Sequence, residues 1–403
     1  MKKLFTAGCW LLLTVIITVL ATGCSQRENP AMPETYPEGM VLVATHHYPN
    51  LEFLEDETRA AFSSRRVSAY VPRGYKLDVV GQRYPVLYLL PGYDGEPSFY
   101  YSHGNENYYQ AASIAKVADR LIATGEIKPL IIIMPDASTP FGGSFYCNST
   151  LEGPWENMMI DSLIAYIDRT YLTIAGKDSR AISGHSSGGY GAIRLAMKYP
   201  DMFNSVSCID APLAFTGNGA FGGITELFDD YLNESGITDI PSFYDADTLG
   251  FRAQPYKMLM YSMAGSFSPS GVMDPSTAFG KLRIDLPFDY EGNLISTTWD
   301  KWLAEDLYSW LDNSTYVDNL SGQHIYFETS DHDMNLFNEQ TLLFQEKLTA
   351  NGISFTSAQF EGYTGYEARS RSFLNDRIEF LLKFHNQYLE DRFEEWENRH
   401  SGN

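Results

Sequence analysis

The chain has 403 residues, 44% of them hydrophobic, 14% aromatic and 20% charged, with a formal net charge of −22. That apolar content excludes a disordered chain, and the acidic excess argues against a nucleic-acid partner, because phosphate backbones are repelled. The length exceeds one ordinary domain, so one large domain with an insertion, or two domains, is expected.

At the start, Lys2 and Lys3 precede an apolar run over residues 10–21. The run is short for a membrane span, which needs ~20 residues. It has the length of the apolar core of a secretory signal, ~7–15 residues. Ala21-Thr22-Gly23-Cys24 follows and resembles the bacterial lipoprotein cleavage box, with Ala21 where that box prefers Leu. On that reading residues 1–23 are a lipoprotein signal peptide and Cys24 carries the lipid. The protein is then exported and anchored in the cell envelope, at the outer membrane or cell surface. An ordinary secretory signal is the alternative. Residues 24–50 read as a polar, Pro-rich tether and lead-in, and the folded domain as 51–403. Cys147 and Cys208 remain, either paired in an oxidising compartment or as buried thiols.

Strand and helix patterns then alternate. Residues 65–72 alternate as a strand does, and 84–90 and 129–134 are continuous apolar runs, typical of strands buried on both faces. Helical spacing occupies 111–123 and 155–171. A short strand at 180–183 leads into a helix over 188–199, and 203–209 is the next strand. Strand patterns recur at 324–327 and 353–360, and helices at 338–350 and 374–396, the last with Ile378, Leu381, Leu382, Leu389, Phe393 and Trp396 near one face. This predicts an α/β fold, a mostly parallel central sheet with helices on both faces. Residues 213–320 break the rhythm and read as a lid-like insertion over the sheet's carboxyl edge, where ligands bind in open α/β sheets. A separate domain is the alternative.

The strongest motif is Gly184-His185-Ser186-Ser187-Gly188-Gly189. A serine between a strand and a helix, with glycines two before and two after, has the pattern of a nucleophile elbow. In such an elbow the turn is too tight for flanking side chains, the Ser186 hydroxyl is presented outward, and the Ser187 N–H points at a developing oxyanion. A second donor is expected from Leu89-Leu90-Pro91-Gly92-Tyr93-Asp94-Gly95, with the Tyr93 N–H preferred.

With these residues in view, the chain resembles the esterase D-like, carbohydrate esterase family 1 branch of the α/β hydrolases, which includes feruloyl and acetylxylan esterases. The likeness is carried by residues 84–92, 125–135 and the elbow, and resumes more loosely over 324–384. One departure is Pro91, where the family usually has His. The resemblance implies an acid in Glu328-Thr329-Ser330-Asp331, hence Asp331, with Asp333 in reserve. It also places the catalytic histidine just after the last strand. This chain has Thr364 there, and threonine cannot take a proton at neutral pH.

Of the eight histidines, His332, beside the candidate acid, is the best stand-in base, followed by His103. No phosphate loop, dinucleotide fingerprint or zinc-ligand spacing is present, so no cofactor and no metal are expected. The expected function is hydrolysis of a carboxylic ester, an acetyl or feruloyl group on plant polysaccharide. The rivals are a silent carbohydrate-binding homologue with a decayed triad, and an acyltransferase. The expected partners are an ester-bearing small molecule or polysaccharide and, through the anchor, the membrane.

Overall fold

The computed structural model describes residues 39–48, 63–76, 81–92, 97–101, 114–139, 141–216, 255–271, 283–289, 293–331, 337–360 and 371–390, all within the unit Pro33–Asn403. The sheet contains β1 (Met40–His47), β2 (Ser64–Val71), β3 (Val86–Leu90), β4 (Ile131–Pro135), β5 (Arg180–His185), β6 (Ser205–Ile209), β7 (His324–Ser330) and β8 (Thr356–Phe360). Their order is β1-β2-β4-β3-β5-β6-β7-β8. The β1–β2 and β2–β4 pairs are antiparallel and the rest parallel. β3 and β4 are buried at every position, as their unbroken apolar runs require. From β3 the chain steps outward to β4 and returns to β5 on the other side of β3. That reversal opens a crevice at the carboxyl ends of β3 and β5.

The sheet begins earlier than the sequence suggested. Met40–His47, placed in the tether, pairs with β2 from Met40 opposite Val71 to His47 opposite Ser64. An edge strand buries little, and Val43 is 53% exposed, so its apolar pattern is weak.

The described helices are α1 (Ile114–Ala123), α2 (Ile164–Thr170), α3 (Ser187–Lys198), α4 (Pro255–Phe267), α5 (Ser296–Leu303), α6 (Leu307–Trp310), α7 (Ser314–Ser321), α8 (Phe337–Ala350) and α9 (Arg371–Tyr388). The helix expected over 155–171 is Trp155–Asn157, then a wider π-turn at Met158–Leu163, then α2. Ile114, Val117, Ala118 and Leu121 of α1 join Ile378, Leu381 and Leu382 of α9 in one core with Leu87, Leu89, Ile132 and Ile209. Side chains alternate along a strand, so Cys208, next to Ile209, faces the other way. There a Cβ on Gly189 of α3 would lie 2.9 Å from the Cys208 Cβ. Helices therefore cover both faces.

The described parts of the expected insertion pack onto α3. Phe215, Phe267 and Trp302 form a buried aromatic cluster with Phe145 and Tyr190. Tyr190 also donates to Glu305 O at 2.7 Å. These rings fill a core.

Candidate active site

β5 ends at His185 and α3 begins at Ser187, leaving Ser186 alone to make the corner. Its φ is 56° and ψ −126°, a conformation that L residues adopt only where the surroundings impose it. Two main-chain hydrogen bonds impose it here. Ser186 N donates to Ile209 O at 2.9 Å, and Tyr190 N donates to Ser186 O at 3.0 Å. Ser186 is half-buried while Ser187 behind it is fully buried. The flanking glycines are required by contact. A Cβ on Gly184 would lie 2.3 Å from the carbonyl of Gly188, and one on Gly188 would lie 2.2 Å from Leu90 O.

The loop after β3 approaches this corner from the side. A Cβ on Gly92 would lie 2.9 Å from His185 O and 3.2 Å from the Ser186 Cβ. The loop thus enters in contact with the serine, and Tyr93, the expected second amide donor, follows directly but lies outside the described residues. Two buried phenols hold the loop's entry. Tyr100 Oη donates to Leu90 O at 3.0 Å and Tyr146 Oη to Pro91 O at 2.8 Å.

On the other side, Asp331 follows β7 and is exposed. Its backbone is fixed on both sides. Asp331 N donates to Phe360 O at 2.8 Å, and Ser330 N donates to the Asp210 carboxylate at 2.9 Å. Asp210 follows β6 with φ 37° and is ion-paired at 2.9 Å with Arg377 of α9. Arg377 also pairs with Glu328. Burial raises the Glu328 carboxyl above its ordinary range although Arg377 opposes the shift. This buried charge cluster was missed from the sequence. Its signal was an arginine adjoining Ile378 and four residues from Leu381 in the apolar stripe of the last helix, where a charge must have a partner.

The reserve acid Asp333, the stand-in base His332, His103, Thr364 and the lipidation residue Cys24 all lie outside the described residues. Three of the described imidazoles have other partners. His46 Nε2 meets Ser162 Oγ at 2.9 Å and its ring stacks on Tyr166. His324 stacks on Tyr388. His385 sits between Ser205 Oγ and Ser207 Oγ, each at 2.8 Å, and burial lowers its pKa to about 3. The His185 ring nitrogen Nδ1 lies beside Gly92. Cys147 and Cys208 are separate, buried thiols.

A half-exposed serine on a strained strand-to-helix corner, with a helix N-terminus behind it and a tethered loop beside it, has the geometry for acyl transfer. The comparisons agree. "Esterase MT1326" of Mycobacterium tuberculosis (strain CDC 1551 / Oshkosh) is 32% identical over 168 residues, 41% of this chain and 33% of that protein. "Endo-1,4-beta-xylanase/feruloyl esterase" of Xylanibacter ruminicola is 38% identical over 144 residues, 34% of this chain and 18% of that protein. The matches thus span about a third or less of those relatives' length. Among solved structures, a ferulic acid esterase shares the fold with a TM-score of 0.55 at 16% identity, covering 88% of this chain and 100% of that one. The Esterase family model matches residues 60–370, a span that runs from β2 through the elbow to the end of β8 and beyond. The chain belongs to the Esterase family, on an α/β-hydrolase fold.

Proposed function

We propose that this protein is a serine carboxylic-ester hydrolase that removes acetyl or feruloyl groups from plant polysaccharide. The observation that carries the reading is the left-handed backbone of Ser186 at the β5–α3 corner. The xylanase/feruloyl esterase relative supports the substrate class. Ser186 Oγ attacks the ester carbonyl while its proton passes to an imidazole, assigned to His332. The Ser187 and Tyr93 amides hold the oxyanion, the alcohol leaves with the proton, and water then releases the acid from the acyl-serine. Asp331 orients the imidazole. The protein works at the cell envelope, held through a lipid on Cys24. Cys24→Ala then moves it from the membrane to the soluble fraction.

A second reading is a silent carbohydrate-binding homologue. It is favoured by Thr364 at the position of the family's histidine and by the other engagements of His46, His324 and His385. The strain at Ser186 argues against it, because a pure binder gains nothing from that strain. A fluorophosphonate probe separates the two. The hydrolase labels, and Ser186→Ala abolishes labelling. A wild-type protein that resists the probe is the binder.

A further inference from the structure

We infer that Tyr100 and Tyr146 are positioning residues that aim the oxyanion loop, by holding the two carbonyls that precede Gly92. The catalytic consequence rests on the hydrolase reading above, whereas the loop geometry does not.

β3 ends at Leu90, paired with Gly184 of β5, so the Leu90 carbonyl is the last of the strand and that of Pro91 lies beyond it. They are also enclosed, since α3 is packed against them. A Cβ on Gly188 would lie 2.2 Å from Leu90 O and 2.5 Å from Pro91 O. An enclosed carbonyl needs a donor, and each receives a phenol, Tyr100 on Leu90 and Tyr146 on Pro91. The peptide group is planar, so the Pro91 carbonyl shares its plane with Gly92 N–H. A bond to Pro91 O therefore fixes the plane from which the chain turns into Tyr93. Pro91 has no N–H, so the preceding peptide can be held only through Leu90 O. The two phenols thus act on the two peptides that set the loop's direction.

Both tyrosines are themselves rigidly placed. Tyr100 is buried at the end of the short 3₁₀ turn Pro97–Tyr100. Tyr146 has φ 56°, a costly conformation for a bulky residue that persists only when its surroundings over-determine it. Its ring lies against Gly191, where a Cβ would come within 2.4 Å of the Tyr146 Cδ2, and its carbonyl takes Arg194 Nη1 at 3.4 Å. Phenylalanine fills the same space at either position, so the hydroxyl is the group to be tested. Burial raises both phenols well above their ordinary range, and both stay donors at every working pH.

The test uses Tyr100→Phe and Tyr146→Phe in the full chain. Three quantities are measured, namely fluorophosphonate labelling rate, p-nitrophenyl acetate kinetics, and amide hydrogen exchange of the peptide spanning residues 88–95. A misplacement of about 1 Å at a reacting centre costs up to about 10²-fold. Each variant is therefore expected to lose about 10- to 100-fold in labelling rate and kcat, with KM within about 2-fold, and to exchange faster in that peptide alone. Wild-type rates with wild-type exchange overturn the assignment, and so does faster exchange throughout the protein, which marks a general structural role. If the wild type neither labels nor turns over, the hydrolase reading fails and the exchange of residues 88–95 decides the loop assignment alone.

Discussion

Gly188 is the residue at which the elbow and the oxyanion loop meet. Its α-carbon faces Leu90 O and Pro91 O so closely that a methyl group has no side chain to displace, only main chain. Gly188→Ala must therefore push α3 away from the loop. The expected outcome is a loss of about 1–3 kcal/mol of stability, as for other overpacked sites, with a larger proportional loss of function, about 10²-fold in labelling rate. Urea denaturation and fluorophosphonate kinetics read the two separately, and a variant that labels at the wild-type rate would disprove the contact argument. This glycine was legible in the sequence because the elbow's demand is local, a fixed offset from Ser186. Tyr146 was not legible. Its partner, Pro91 O, lies 55 residues away, and no spacing rule connects a phenol to a carbonyl across a fold.

The same division between local and distant demands governs the elements. β3 and β4 were legible as strands because burial on both faces leaves an unbroken apolar run, and α9 because one apolar face repeats at helical intervals, although the helix ends at Tyr388, short of Leu389, and Phe393 and Trp396 lie outside the described residues. β1 escaped because a half-covered edge leaves no such pattern. The role of α9 beyond packing was also hidden. It carries Arg377 into a space closed by Asp210 at the end of β6 and Glu328 within β7, and all three side chains are buried. Asp210 in turn holds Ser330 N, the residue before Asp331. The helix is thereby coupled to the turn that presents the candidate acid. Removing one partner of a buried charge cluster leaves the others uncompensated, which costs about 3–5 kcal/mol. Arg377→Met is expected to show a loss of that size in chemical denaturation. Adding Glu328→Gln should recover part of it, since one of the two stranded carboxylates is then neutral. A double variant no more stable than Arg377→Met alone would mean that the arginine acts through packing and not through charge.

At the scale of the whole molecule, two buried groups tilt stability against pH in opposite directions. Glu152 lies beneath α4, accepting from Thr139 at 3.0 Å and from Ser266 at 2.6 Å, and burial raises its pKa to about 8. The folded protein therefore keeps a proton that the unfolded chain has released. This contribution is fully present below the ordinary carboxyl value of 4.5 and is lost as pH rises through about 8. His385 behaves oppositely. With its pKa lowered to about 3, its contribution is present above 6.5 and is lost as pH falls through about 3. The net charge of −22 adds self-repulsion as pH rises, so an alkaline decline in the wild type alone identifies no residue. The difference between wild type and Glu152→Gln does, because both carry almost the same global charge. Glutamine keeps hydrogen-bonding atoms toward Thr139 and Ser266 and removes the ionisation. The variant is expected to melt several degrees above the wild type at pH above 8, close to it below 4.5, and to leave the acid-side decline from His385 unchanged. Parallel melting curves for the two proteins across that range would show that Glu152 is ionised in the fold and that the contacts holding α4 are indifferent to its proton.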